Sequence, residues 1–262
     1  MALRFETMEA NLRAALEIFS RAQPAGETRA YPGVAVACSA LDFSMFNSVV
    51  LTGPAESEAE LDIRIKIAAA YYAVKRLPWS FWVSQGWLGR QARRKLESVF
   101  SRNGLHLVVE LPGMAAERLL PPVRPLAALN CQRVSDERTR AAFTYIMAAA
   151  FGIPFSLCRA IYEAEKTWTG DFAGYVAYAD EEPVATAATL TAAGVAGVYA
   201  LATLAAYRRR GYGEAVMRHA LEAARRETGI EATVLEASAP GLRLYERMGY
   251  RTMTQYAVFA YS

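Results

Sequence analysis

A glycine-rich basic turn, between a predicted strand and a predicted helix, is the part of this sequence best suited to chemistry. The strand-like run contains Leu201, Ala202 and Thr203, and the turn that follows reads Arg208, Arg209, Arg210, Gly211, Tyr212, Gly213 and Glu214. The first N–H groups of a helix are unpaired and lie at the positive end of its dipole, so a phosphate binds there readily. Glycine lets the backbone approach such a ligand closely. The turn therefore predicts an anion-binding cradle.

Two other phosphate-binding loops do not fit the pattern Arg-x-x-Gly-x-Gly, and a third structure, a plain helix cap, fits it without binding an anion. No Gly-Lys-Ser/Thr follows, as a P-loop would require, and Val216 occupies the position of the third glycine of a dinucleotide fingerprint. An exposed basic turn that merely caps a helix is compatible with the motif alone. The helix itself is well marked, because it is amphipathic and Gly229 follows it as a stop signal.

A second motif lies about thirty residues further on, at a spacing that suits strand, turn, short helix and strand. It contains Leu244, Tyr245, Glu246, Arg247, Gly249 and Tyr250. Together the two motifs resemble the GNAT family, the Gcn5-related N-acetyltransferases, whose second signature is Leu-Tyr-Glu-(Lys/Arg)-x-Gly-(Phe/Tyr). The resemblance covers roughly Gly174 to Tyr261. Ser238 departs from it, standing where the family often has Asn.

The resemblance implies a co-substrate, a binding site and one catalytic residue. Acetyl-CoA is the implied co-substrate and no metal is implied. Tyr245 would meet the thioester sulfur, and backbone groups of Leu201 and Thr203 would pair with the pantetheine amides. The implied binding residues are Leu201, Ala202, Thr203, Arg208, Arg209, Arg210, Gly211, Tyr212, Gly213, Glu214 and Ser238.

The mechanism that follows is direct attack of a primary amine on the thioester in a ternary complex. A backbone N–H near Leu201 to Thr203 would polarise the developing oxyanion, and Tyr245 would protonate or hydrogen-bond the leaving thiolate. The general base is open, with Glu163 or a water chain as candidates. The acceptor is equally open between a small molecule and a protein amine. A non-catalytic acyl-CoA-binding sensor or interaction module is the alternative function.

The predicted fold is a mixed α/β (α+β) structure in which helices flank a mixed central sheet, the acyl-CoA N-acyltransferase fold. Periodicity predicts helices over Asp136–Ala150 and Pro154–Lys166. Strands are predicted over Gly174–Ala179, Pro183–Thr191 and Val195–Thr203.

The first half predicts a second domain. Pro121, Pro122 and Pro125 cannot continue a helix or occupy a central strand, so residues 121–125 are predicted to link residues 1–120 to a GNAT domain at 126–262. The predicted first-half helices are Leu3–Arg21, Glu58–Arg76 and Arg90–Phe100, and the predicted strands are Val34–Ala40, Ser48–Thr52, Ser80–Ser84 and His106–Leu111. This order echoes the second half and predicts two tandem GNAT-like domains, the first degenerate because Glu56 and Glu58 replace its cradle. An unrelated α/β cap is the alternative.

Charge and composition argue against nucleic-acid and membrane partners. The formal net charge of +3 over 262 residues gives no support for a nucleic-acid partner. Residues Pro183 to Tyr207 carry no charge and could span a membrane by length, but their threonines and internal glycines favour paired strands. We therefore expect no membrane association. Met1 to Glu6 is charged early and has no secretory apolar stretch, so we expect a cytoplasmic protein.

The cysteines and the assembly state add little. Cys38, Cys131 and Cys158 are odd in number, far apart and without a Cys-x-x-Cys pair, which argues against both disulfides and zinc. A homodimer is compatible with the sequence, which does not decide the oligomeric state.

Overall fold

The computed structural model describes residues 3–261 and divides them into two compact units. The larger unit comprises residues 3–15, Met114–Leu235 and Pro240–Arg251. The smaller unit comprises Leu16–Gly113, Glu236–Ala239 and residues 252–261. Met1 and Ala2, at the start of the predicted first domain, and Ser262, at the end of the predicted second domain, lie outside the described residues. The predicted boundaries at 1–120, 121–125 and 126–262 stay predictions.

Helices and strands are numbered here in chain order. The helices are α1 (Phe5–Arg21), α2 (Glu58–Lys75), α3 (Arg90–Arg94), α4 (Leu96–Arg102), α5 (Glu137–Phe151), α6 (Phe155–Tyr162), α7 (Tyr212–Thr228) and α8 (Leu242–Arg247). The strands are β1 (Glu27–Tyr31), β2 (Val34–Cys38), β3 (Asn47–Leu51), β4 (Trp79–Ser84), β5 (His106–Ala116), β6 (Asn130–Arg133), β7 (Phe172–Ala179), β8 (Glu182–Ala192), β9 (Val195–Thr203), β10 (Thr233–Glu236) and β11 (Arg251–Tyr261).

In the smaller unit the strands follow the order β1-β2-β3-β4-β11-β5. Strands β3 and β4 are parallel, whereas the β1–β2, β2–β3 and β4–β11 pairs are antiparallel. Buried aromatic rings fill the core beside this sheet: Phe100 stacks on Phe259 with ring centroids 4.0 Å apart, and Phe81 meets Phe100 edge-on at 5.3 Å. The unit is therefore a mixed sheet with an aromatic core.

The larger unit contains the strands in the order β10-β9-β8-β7-β6, with β10 parallel to β9 and the others antiparallel. Helices α5 and α7 both pack on β8 and β9. Val216 and Ala220 of α7 are buried in a core with Tyr175, Ala185 and Ala187 of the sheet. This is the predicted mixed α/β fold, a mixed sheet flanked by helices.

The first turns of α1 belong to the larger unit through Asn11, whose side chain is fully buried. Its Nδ2 donates to the carbonyl groups of Leu190 and Ala192, each at 3.1 Å, and of Val195 at 3.3 Å. Its Oδ1 accepts a hydrogen bond of 2.6 Å from the Tyr199 hydroxyl. Asn11 therefore fixes the turn between β8 and β9, which is a role that the sequence did not reveal.

Most predicted elements form close to their predicted bounds, but β5 runs to Ala116 rather than Leu111, and β1 was not predicted. Helix α6 ends at Tyr162 rather than Lys166, because Thr167 Oγ1 donates to the Ile161 carbonyl at 2.6 Å and Trp168 Nε1 to the Tyr162 carbonyl at 2.8 Å. The helix predicted over 90–100 is interrupted at Lys95, which separates α3 from α4. The uncharged stretch 183–207 forms β8 and β9 joined by a turn. Within residues 3–261, every helix is too short or too polar to cross a membrane.

Candidate functional site

Strand β9 leaves one of its edges open where the site residues Leu201, Ala202 and Thr203 lie. Its partner β10 is in register with it only at Ala196 and Gly197. Along the part of the chain that the structure describes, no strand pairs with that edge from residue 198 to 203. Backbone N–H and C=O groups of an unpaired edge can bind an extended ligand in place of a strand.

A bulge lies within this open stretch. The ladder with β8 slips between Thr186 and Ala188, and Ala200 adopts a left-handed φ of 49°. The Thr186 hydroxyl donates to the Ala200 carbonyl at 2.9 Å, which holds the irregular backbone in place. A bulge leaves one residue outside the regular ladder and bends its strand. The last residues of β9, up to Thr203, therefore have an irregular ladder with β8 on one edge and no partner strand on the other.

The predicted cradle follows immediately. After a short helical turn at Ala205–Tyr207, the N-cap of α7 is Gly211 with a φ of 83°, and no side chain caps the helix. The Ala215 N–H is bonded to the Gly211 carbonyl at 3.0 Å, so the N–H groups of residues 212–214 precede the helical ladder and can bind an anion.

The two glycines serve different purposes in this cradle. A Cβ at Gly211 would meet no atom within 4 Å, so there is space for a side chain. Glycine is favoured at this position because of its positive φ. A Cβ at Gly213 would lie 3.2 Å from Oγ1 of Thr203, because here the start of α7 approaches the end of β9. The open edge and the helix N-terminus therefore meet at Gly213.

The charged residues of the turn have distinct positions. Arg208 donates from Nε to the Thr203 carbonyl at 3.1 Å and from Nη2 to the Ala150 carbonyl at 3.4 Å, so its guanidinium joins the turn to β9 and α5. The Arg210 guanidinium lies 5.3 Å from the centroid of the Tyr207 ring. Glu214 is paired with Arg218 at 2.9 Å. This pairing neutralises the one acid of the turn.

Tyr245 lies on α8 and is only 7% exposed. Its ring is 5.9 Å from the Tyr250 ring, and a Cβ at Gly241 would lie 2.6 to 2.9 Å from its ring and hydroxyl atoms. The Tyr250 hydroxyl is 2.8 Å from Thr233 Oγ1, and Thr233 is in register with Ala196 of β9. Packing thus fixes the Tyr245 ring with respect to β9.

Burial raises the pKa of the Tyr245 phenol to about 12. The phenol is therefore protonated at neutral pH and can act as a hydrogen-bond donor. Among the described residues no group forms a hydrogen bond with this hydroxyl, which leaves it available to a ligand. A phenol with this pKa is a weak proton donor.

The remaining predicted residues are less informative. Ser238 is exposed in the loop that follows β10, and Glu163 is half-buried at the end of α6. The cysteines at 38, 131 and 158 are free thiols. No group of three or more His, Cys, Asp or Glu side chains in residues 3–261 is arranged to hold a metal ion.

Beside the cradle is a cavity of ≈ 470 Å³ that the sequence did not predict. Residues Val123 to Ala127 line one part of it, and Arg209, Arg210 and Gly211 line another. Arg247, from the second motif, completes the basic lining. The prolines around Arg124 indicated a linker, and nothing in a single sequence indicated that this segment borders the cradle.

The mixed sheet with helices on its faces is the acyl-CoA N-acyltransferase fold. The family model described as the acetyltransferase (GNAT) family matches residues 140–250. The matched residues include both motifs, so the match confirms the GNAT resemblance of this part of the chain. No curated protein sequence matches the chain.

Solved structures share the fold over nearly the whole chain. A GCN5-related N-acetyltransferase from Kribbella flavida superposes with a TM-score of 0.72 at 20% identity, over 99% of this chain and 96% of that one. A conserved protein of unknown function from Staphylococcus epidermidis gives 0.65 at 13% identity, over 90% and 94%. A GCN5-related N-acetyltransferase-like protein from Streptococcus suis gives 0.55 at 13% identity, over 98% and 100%. The fold of this chain therefore recurs over nearly its whole length in other proteins.

Proposed function

We propose that the protein is an N-acetyltransferase that moves an acetyl group from acetyl-CoA to a primary amine by direct attack in a ternary complex. The observation that carries the proposal is the meeting of the open β9 edge with the start of α7 at Thr203 and Gly213. An extended chain with amides can pair with the edge, and a phosphate attached to it can then bind the helix N-terminus. Acetyl-CoA carries its pantetheine amides and its pyrophosphate in this order.

The binding roles follow from the chemistry of each group. Backbone groups of residues 201–203 pair with the pantetheine amides, and the N–H groups of residues 212–214 hold the pyrophosphate. Arg209 and Arg210 add positive charge beside the pyrophosphate. Arg208 orients the turn through the carbonyl groups of Thr203 and Ala150. Ser238 takes the place of the asparagine found in many family members.

The chemical step joins an amine to the acetyl carbonyl. The neutral amine nitrogen forms a bond to the carbonyl carbon, the C–S bond breaks, and the ammonium proton passes to water or to Glu163. A backbone N–H near Leu201 to Thr203 stabilises the oxyanion, and the Tyr245 hydroxyl donates a hydrogen bond to the departing sulfur. Holding both reactants in one site supplies much of the rate.

A second candidate function is a module that binds acyl-CoA without turnover and signals through the rest of the chain. The Tyr245 phenol favours the enzyme, because a sensor has no need for an available hydroxyl beside the sulfur. Core packing accounts for the Tyr245 ring but not for its hydroxyl.

Thiol release separates the two functions. The chain is mixed with acetyl-CoA and a panel of amines that covers polyamines, amino acids, aminoglycosides and peptide N-termini, and free thiol is read with a chromogenic disulfide. We expect release that depends on at least one amine and on enzyme concentration, with the acetylated amine found by mass spectrometry. Binding of acetyl-CoA with no amine-dependent release from any class of acceptor would favour the sensor.

A further inference from the structure

The chain between Leu120 and Asn130, where β6 begins, is hydrogen-bonded to the larger unit at both ends. At its start, the Leu120 N–H donates to the Met248 carbonyl at 2.9 Å, and the Leu120 carbonyl accepts from Arg218 Nη1 at 2.8 Å. Arg218 is itself paired with Glu214 in the first turn of α7. At its end, Asn130 begins β6 opposite Tyr178. Residues 121–129 therefore span two fixed points beside the cradle.

Leu129, at the end of this segment, packs against the core of the larger unit, but the side chains nearer its middle are exposed. Val123 is 77% exposed and Leu126 42% exposed. Pro121, Pro122 and Pro125 restrict the backbone and exclude a helix, so the segment has few alternative conformations. It forms one wall of the ≈ 470 Å³ cavity, whose other walls are Arg209 to Gly211, Glu214 and Arg247.

The charge of this cavity exceeds what a pyrophosphate needs. Its lining has four guanidinium groups, on Arg124, Arg209, Arg210 and Arg247, and its single acid, Glu214, is already paired with Arg218. Within residues 3–261 none of the four arginines forms an ion pair. A pyrophosphate diester carries two negative charges, which Arg209 and Arg210 can balance from the cradle turn. Arg124 and Arg247 lie on other parts of the chain, and their positive charges exceed what the pyrophosphate requires.

We propose that Arg124 and Arg247 bind the 3′-phosphate of coenzyme A, so that the segment Val123–Ala127 gives the site a preference for coenzyme A over its dephospho form. The inference rests on the proposed function, because it takes the pyrophosphate to bind at the cradle. A phosphomonoester at neutral pH carries more charge than either pyrophosphate group, about −1.5 to −2, and has three acceptor oxygens. Arginine binds such a group through paired N–H donors.

Calorimetric titration of the full chain with coenzyme A and with dephospho-coenzyme A tests the inference. We expect the wild type to bind coenzyme A about 10-fold more tightly, equivalent to about 1.4 kcal/mol, since both arginines are exposed and each contact is screened by water. Arg124→Gln and Arg247→Gln should each reduce the preference to about 3-fold, and the double variant to less than about 2-fold. Affinity for the dephospho form should change little.

Two matched variants control for charge and for the pyrophosphate site. Arg243→Gln removes an exposed guanidinium from the same helix as Arg247, outside the cavity lining, and should leave the preference at its wild-type value. Arg209→Gln should weaken both ligands by a similar factor, because both carry the pyrophosphate.

The possible failures are distinct. If neither ligand binds the wild type, the proposed function is wrong and the inference falls with it. If both ligands bind with equal affinity, or if the double variant keeps the full preference, the inference alone is overturned and the pyrophosphate cradle stands. A loss of preference in Arg243→Gln as large as in Arg247→Gln would also overturn it, because net charge would then explain the effect. Circular dichroism of each variant confirms that it is folded.

Discussion

Replacing Tyr245 by phenylalanine isolates the chemistry of one hydroxyl. The ring would keep its contact with Tyr250 and its tight packing at Gly241. Because the hydroxyl forms no hydrogen bond with any residue in 3–261, its removal should change the thermal midpoint of unfolding by no more than a degree or so, roughly the effect of a few tenths of a kcal/mol. Affinity for acetyl-CoA should change little. The expected effect is on turnover.

The size of the fall in turnover follows from the pKa of the phenol. With a pKa of about 12 for Tyr245 and about 8.5 for a thiol, transfer of its proton to the thiolate would be uphill by about 5 kcal/mol. We therefore expect the hydroxyl to donate a hydrogen bond to the sulfur rather than to transfer its proton. A hydrogen bond to a charged group contributes about 1.5–3 kcal/mol, so Tyr245→Phe should lower turnover by about 10- to 100-fold.

Tyr250→Phe is the matched control. The Tyr250 hydroxyl is buried and bonded to Thr233, so its loss leaves a buried polar group without a partner. We expect it to lower the free energy of unfolding by about 1–2 kcal/mol while turnover per folded chain stays close to wild type. The two variants should thus show opposite patterns of stability and turnover.

The assay is steady-state thiol release at saturating acetyl-CoA with one working amine, from about pH 6 to 10. Because burial raises the pKa of Tyr245, its ionisation should produce no inflection in this range. The stability that accompanies the protonated phenol is present below its unfolded pKa of about 10 and is lost as the pH rises through about 12. Unchanged turnover in Tyr245→Phe at every pH would show that Tyr245 only packs. A fall of more than about 10³-fold would instead indicate a general acid.

Two further predictions concern the buried amide that fixes the β8–β9 turn. Asn11→Leu removes the donor to three carbonyl groups and the acceptor of the Tyr199 hydroxyl, and should lower the free energy of unfolding of the larger unit by about 2–4 kcal/mol, measured by urea denaturation. Gly197→Ala would put a Cβ 2.0 Å from Asn11 Oδ1 and should lower the free energy of unfolding by about 1–3 kcal/mol. If its effect and that of Asn11→Ala were additive in the double variant, the steric explanation would be contradicted.

Sequence periodicity and motifs anticipated the elements around the site because those elements are locally specified. Helix α7 has an apolar stripe, a glycine at each end and acids and bases at the matching ends of its dipole. The threonine-rich run of β8 and β9 is divided at Ala193-Gly194, a glycine-containing turn signal between two strand-like runs, so a hairpin was predictable. Both turn residues adopt positive φ in the structure. The match of the GNAT model to residues 140–250 confirms the family resemblance that the two motifs carried.

The missed features all depend on tertiary contacts. Asn11 occurs in an amphipathic helix that gave no sign of its partners, which lie about 180 residues further along the chain. Arg124 lies among prolines that indicated only a chain break, and its position beside the cradle follows from the hydrogen bonds of Leu120. The bulge at Ala200 depends on the Thr186 hydroxyl of the neighbouring strand. No local pattern encodes such pairings.

Calorimetric titration of the wild type and of Gly213→Glu with acetyl-CoA tests the central claim most directly. The wild type should bind one acetyl-CoA per chain, because within residues 3–261 the glycine cradle occurs once, at the start of α7. A glutamate at 213 would crowd Thr203, 3.2 Å from its Cβ, and add negative charge at the positive end of α7. Affinity should then fall by at least about 10-fold, or 1.4 kcal/mol, in a chain that circular dichroism shows to be folded. Unchanged affinity in the folded variant, or two equal sites per chain, would contradict the assignment of the cradle.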